Sequence, residues 1–98
     1  MDGLTYDRLS EDEIARRVAG LPGWTVEDGA LARQYDFETY AAGAVFAGAV
    51  AHLADSLNHH PDLLIGYKTV TVTLRTHDAG GGLTAYDFEL ARRIQERL

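Results

Sequence analysis

Apolar residues recur at helical spacing in the middle of the chain. Phe46, Val50, Leu53 and Leu57 fall at i, i+4, i+7 and i+11 and form one stripe. That spacing predicts a long helix from Thr39 to about Asn58. It must end near His60, because Pro61 pushes its predecessor out of the α region. The stretch 41–49 within it is dense in Ala and Gly. Gly43 and Gly48 each cost a helix about 1 kcal/mol against Ala. They permit close packing, or mark simple tolerance of small residues.

A shorter helix is predicted to start at Ser10, where Ser10 and Glu13 form a capping box and Leu9 and Ile14 a hydrophobic staple. It runs to about Gly20, and Leu21-Pro22-Gly23 ends it. Residues 24–26 and 30–37 read as strands joined by the Asp28-Gly29 turn. Leu31, Tyr35 and Phe37 share one parity, and Arg33 breaks it, so this strand is expected to be half-buried or to end at an edge. Residues 62–67 are expected to be extended. The alternating, β-branched stretch 68–76, KTVTVTLRT, is the clearest strand signal. Gly80-Gly81-Gly82 reads as a loop. Thr84 then caps a last helix whose inward positions are Phe88, Ala91 and Ile94. Residues 1–8 read as a loose arm. The order α-β-β-α-β-β-α predicts an α+β two-layer sandwich: a four-stranded antiparallel sheet with helices on one face, in a single domain over residues 1–98.

Composition narrows the function classes. The 98 residues carry a net charge of −6, which argues against direct nucleic-acid binding. With no cysteine, disulfides, thiol nucleophiles and thiolate metal sites are excluded. The acidic N-terminus does not read as a signal peptide, and no apolar run is expected to reach membrane-spanning length. A cytoplasmic location is the default expectation.

The candidate chemistry lies in the histidines. His59 and His60 end the long helix, where the helix dipole favours imidazolium. Asp55 precedes His59 by four residues on the same helical face and favours the same form. A histidine so placed suits a general acid able to cycle as a base. His77 ends a strand just before the glycine loop. Its parity sends it to the polar side of the sheet, or it turns with the loop. His52 reads as a solvated or partner-facing histidine. A metal centre is disfavoured: adjacent histidines on a helix point about 100° apart, and neither His-x-x-x-His nor His-Glu-x-x-His occurs. The triple glycine lacks the Lys-Ser/Thr of a phosphate loop, yet could offer backbone N–H groups to a ligand. Asp87, three residues after Thr84, reads first as a helix cap. Trp24 reads first as core, although its π-face would suit a flat heterocycle.

These residues carry a family resemblance. Asp55, three residues, His59-His60-Pro61, then Tyr67, His77 and Asp87 reproduce the spaced motif of the pterin-4a-carbinolamine dehydratases. Leu9-Ser10-Glu11, Gly23-Trp24, Phe37, Thr76-His77 and the Gly-Leu-Thr at 82–84 extend the resemblance over nearly the whole chain. Two departures stand out. Asp55 replaces the Glu of many members, and the glycine loop is one residue longer, which bears on the contacts of Asp78 and Asp87.

The resemblance implies a hydro-lyase that removes water from a 4a-hydroxytetrahydropterin to give the quinonoid dihydropterin. That is a step in tetrahydrobiopterin recycling, linked to an aromatic amino-acid hydroxylase. It implies that no metal and no redox cofactor is needed. It assigns catalysis to His59, His60 and His77, with His59 and His77 sharing the acid and base roles and His60 mainly orienting the ring. Substrate binding would fall to Asp55, Asn58, Pro61, Thr76, Asp78, Asp87 and Trp24, with Asp55 also holding one imidazole in its tautomer. It further implies a homodimer through the sheet and a possible tetramer through the long helices. Relatives of this kind also serve as protein-binding modules, in a coactivator or assembly-chaperone role, and a pterin step in molybdenum-cofactor metabolism is a further alternative.

Overall fold

The computed structural model describes residues 3–98. Of the arm expected over residues 1–8, residues 1 and 2 therefore lie outside the described residues. The first helix, α1 (Glu11–Ala19), starts where Ser10 Oγ accepts a hydrogen bond from the Glu13 N–H. The reciprocal half of the expected capping box is replaced: the Glu13 carboxylate pairs with Arg17 at 2.8 Å and with Arg16. Two strands follow, β1 (Thr25–Glu27) and β2 (Ala30–Asp36), then the long helix α2 (Tyr40–Leu57) with Thr39 as its N-cap. After it come β3 (Asp62–Ile65), β4 (Thr69–Leu74), a 3-10 turn over His77–Ala79, and α3 (Ala85–Arg97).

The strands form one antiparallel sheet in the order β1-β2-β4-β3. Register fixes which side chains share a face. Leu31 pairs with Leu74, Tyr35 with Val70, and Leu63 with Val72. These residues pack with Val50, Ala54 and Leu57 of α2 and with Phe88, Ala91 and Ile94 of α3. The partner face carries Gln34, Asp36 and Asp62, all exposed. Arg33 belongs to the inner face by parity and survives there at the rim. Its guanidinium lies 4.4 Å over the Tyr35 ring and donates to the Pro22 carbonyl at 3.2 Å.

The two helical glycines differ in purpose. A Cβ on Gly43 would stand 3.3 Å from a Val70 methyl and 3.4 Å from the Phe37 ring, so its absence lets α2 approach the sheet. A Cβ on Gly48 would meet nothing within 4 Å. In length and mean hydropathy α2 does meet the requirement for crossing a membrane, contrary to the expectation from the sequence. The reason is its Ala content: one stripe (Gly43, Ala47, Val50, Ala54, Leu57) is buried on the sheet, and the opposite side is also apolar. Tyr40 and Val45 there are 56% and 74% exposed.

α3 is fixed at its centre by charge. Glu89 accepts from Arg92 at 2.6 Å and from Arg93 at 2.7 Å. The Arg92 hydrogen bond foremost holds its carboxyl below the usual carboxylate range, against the opposing effect of burial.

Candidate active site

The long helix ends earlier than proline alone requires. Leu57 is its last residue, and Asn58 takes a left-handed conformation (φ 51°, ψ 42°). Asparagine tolerates that region better than other side chains that carry a Cβ. The turn breaks the helical phase, and the expected pairing changes with it. Asp55 does not face His59. Its carboxylate instead meets His60 Nε2 at 3.0 Å, both side chains being well exposed (76% and 58%).

His59 turns inward and is 7% exposed. Its Nε2 stands 2.6 Å from Asp87 Oδ1, on the first turn of α3. Asp87 is fully buried and shares its other oxygen. Oδ2 accepts from the Thr76 hydroxyl at 2.8 Å and from the Thr84 N–H at 3.0 Å. The Thr76 and Thr84 hydroxyls lie 2.8 Å apart. One carboxylate thus ties together the end of α2, the end of β4 and the start of α3. With Nε2–H donated to the carboxylate, neutral His59 keeps Nδ1 as an acceptor. Asp87 therefore caps the helix, as expected, and orients His59 as well; being fully buried, it is not placed to touch a ligand.

β4 ends at Leu74, so His77 turns with the loop. It sits exposed at the start of the 3-10 turn. The glycine loop below uses its own backbone donors. Gly80 N–H donates to the His77 carbonyl, Gly81 N–H to Thr76 and Gly82 N–H to Ala79. Those groups are not free for a ligand.

A cleft of about 260 Å³ is lined by Tyr6, Asn58, His59, His60, Arg75, Thr76, His77 and Asp78. All three histidines expected to act together are thereby gathered from two separate segments. Asn58, Thr76 and Asp78 join them, although the Thr76 hydroxyl is already engaged inside. Asp55 touches the cleft only through His60, and Asp87 only through His59. Pro61 is not among the lining residues.

Trp24 lies elsewhere. It is 3% exposed, part of the core, its ring edge-on to Tyr35 at 6.3 Å, with its Nε1–H unpartnered among the described residues. His52 is exposed on α2, and Tyr67 is exposed at the β3–β4 turn. Tyr6 and Arg75 also line the cleft and are not among the residues expected from the sequence. Arg75 could have been found, since it shares strand parity with His77. Tyr6 precedes any periodic segment and gives no such signal.

Two other concavities are of 310 and 530 Å³. They hold residues such as Leu21 and Phe88, or Ile14, Val18 and Trp24, and no histidine. Convergent proton-transfer groups, rather than volume, mark the smaller cleft as the site. Among the described residues, no three His, Asp or Glu side chains gather as a metal-ligand set.

Comparison with known proteins identifies the family. The family profile described as Pterin 4 alpha carbinolamine dehydratase matches residues 7–97. A Streptomyces coelicolor protein named "Putative pterin-4-alpha-carbinolamine dehydratase" is 43% identical over 95% of this chain and 92% of its own length. A protein of the same name from Chloroflexus aurantiacus is 45% identical over 91% of this chain and 95% of its own. A solved structure titled as a transcriptional coactivator/pterin dehydratase from Brucella melitensis superposes with a TM-score of 0.85 at 33% identity. It covers 92% of this chain and 97% of that one. A pterin dehydratase-like protein described as a RuBisCO assembly factor in the alpha-carboxysome shares the fold, with a TM-score of 0.58 at 23% identity over 74% of this chain and 83% of its own. With its histidine cleft, its sheet order and a profile match over nearly its whole length, the chain belongs to the pterin 4 alpha carbinolamine dehydratase family.

Proposed function

We propose that the protein removes water from a 4a-hydroxytetrahydropterin by histidine acid–base catalysis. The observation that carries this reading is the shared cleft of His59 and His77, with His59 braced by buried Asp87. The reaction balances with proton transfers alone. A proton is delivered to the 4a-hydroxyl, the C4a–O bond breaks and water leaves. The N5 proton is removed, and its bonding pair forms the C4a=N5 bond of the quinonoid dihydropterin. His59 and His77 share these two transfers. His60, exposed and paired with Asp55, orients the ring.

The test is the decay of a chemically generated carbinolamine, with and without a chelator. His59→Ala and His77→Ala are each expected to lower kcat by about 10²-fold or more, and chelation to leave the rate unchanged. A double variant with near-normal turnover would sink the assignment.

In this reading the protein regenerates the pterin used by an aromatic amino-acid hydroxylase. It works as a homodimer joined through the sheet, and α2 offers a further face for a tetramer. The β3 edge supports the first contact, with Leu64 and Ile65 71% and 41% exposed. Light scattering is expected to give at least twice the 10.7 kDa chain mass; a monomer at micromolar concentration would remove the proposal. The apolar outer side of α2 also suits a protein partner, and such a role can coexist with catalysis.

A further inference from the structure

Tyr6 belongs to no regular element, yet residues 4–9 hold it in a defined place. The Leu9 N–H donates to the Leu83 carbonyl at 2.8 Å, which seats the arm beside the start of α3. Arg8 lies across the glycine loop. A Cβ on Gly82 would come within 2.6 Å of Arg8 Nε, so the bare backbone there lets the arm press down. The Tyr6 ring stacks on Tyr86 at 4.3 Å and 14°, and the Tyr86 ring is tilted 35° against His59 at 5.7 Å. One face of Tyr6 is thus covered, and the residue, 44% exposed, borders the cleft. Desolvation first, then Tyr86 and Asp78, raise its phenol above the ordinary tyrosine value.

The other lining side chains are all polar or charged. A planar heterocycle held among them still needs a broad apolar surface. Trp24, the aromatic expected from the sequence for that task, is 3% exposed, packs in the core and does not line this cleft. Tyr6 is the only carbocyclic aromatic on the cleft wall among the described residues.

We propose that Tyr6, carried by the N-terminal arm and stiffened by Tyr86, is a substrate-binding residue that packs against the planar ring system. The proposal rests on the reading of the cleft as a pterin site.

Its test compares wild type, Tyr6→Leu and Tyr6→Phe in carbinolamine dehydration. Titration with 7,8-dihydropterin and thermal melts accompany the kinetics. An aromatic contact corresponds to about a 2- to 12-fold change in a binding constant. Tyr6→Leu is expected to raise KM and the dihydropterin Kd by that factor, with kcat within about two-fold of wild type. Tyr6→Phe, which keeps the ring, is expected to recover most of the loss. An active wild type with unchanged KM and Kd in Tyr6→Leu would overturn the role of Tyr6 and leave the cleft assignment standing. So would a loss confined to kcat together with a lowered melting temperature. A wild type that neither turns over the carbinolamine nor binds dihydropterin would overturn both.

Discussion

Asp87→Asn is expected to lower kcat for carbinolamine dehydration by about 10²-fold or more while leaving the protein folded. In the wild type, Oδ2 already accepts from the Thr76 hydroxyl and the Thr84 N–H, and Oδ1 faces His59 Nε2. An asparagine must keep its single oxygen toward those two donors. Its NH₂ group then points at His59. Nε2 must become the acceptor, and the ring proton moves to Nδ1. The imidazole nitrogen left for chemistry changes from acceptor to donor with almost no change of shape. Imidazole ¹⁵N shifts of His59 report that exchange directly, which a loss of packing alone would not produce. A rate within about three-fold of wild type, or an unchanged tautomer, would remove Asp87 from the mechanism.

The second large effect is on stability. Leu74→Ala is expected to cost about 3 kcal/mol and to lower the melting temperature by roughly 12–24 °C. Leu74 is fully buried, lies opposite Leu31 across β2 and β4, and belongs to the single hydrophobic cluster that joins both layers. A domain of this size has about 5–15 kcal/mol in all, so one such cavity removes a large part of it. Because Thr76 follows two residues later, the segment after β4 that carries Thr76 and His77 is expected to loosen with it. Urea titration monitored by circular dichroism measures the loss; a cost below about 1 kcal/mol would show that the core can collapse around the gap.

Most of the fold could be read from the chain because its signals are local. Ser10 is a recognisable cap, and its side chain does accept from Glu13; the helix expected from Thr39 starts there, with the Thr39 hydroxyl accepting from Ala42. The alternation in 69–74 names its own buried face, Val70, Val72 and Leu74. The histidines too were recognisable as a group. Their partners were not. The i, i+4 spacing brings Asp55 to His59 only while the helix continues. Asp87 lies 28 residues from His59, and no periodicity joins them. Trp24 was offered two roles because its ring suits both, and only the packing around Tyr35 decides for the core. Tyr6 carried no signal at all, since a stack on Tyr86 is a purely tertiary event.

The left-handed residue Asn58 has a further consequence. By turning the chain at that one point, it sends two adjacent, chemically identical side chains to opposite circuits. His59 answers to a dry carboxylate on α3, and His60 to a solvated one on its own helix. Ionic strength screens the outer pair far more than the inner one. On the proposed roles, added salt is expected to raise KM with little effect on kcat, read from dehydration kinetics at two ionic strengths. A substitution at position 55 removes the partner of His60 and leaves the contact of His59 with Asp87 untouched.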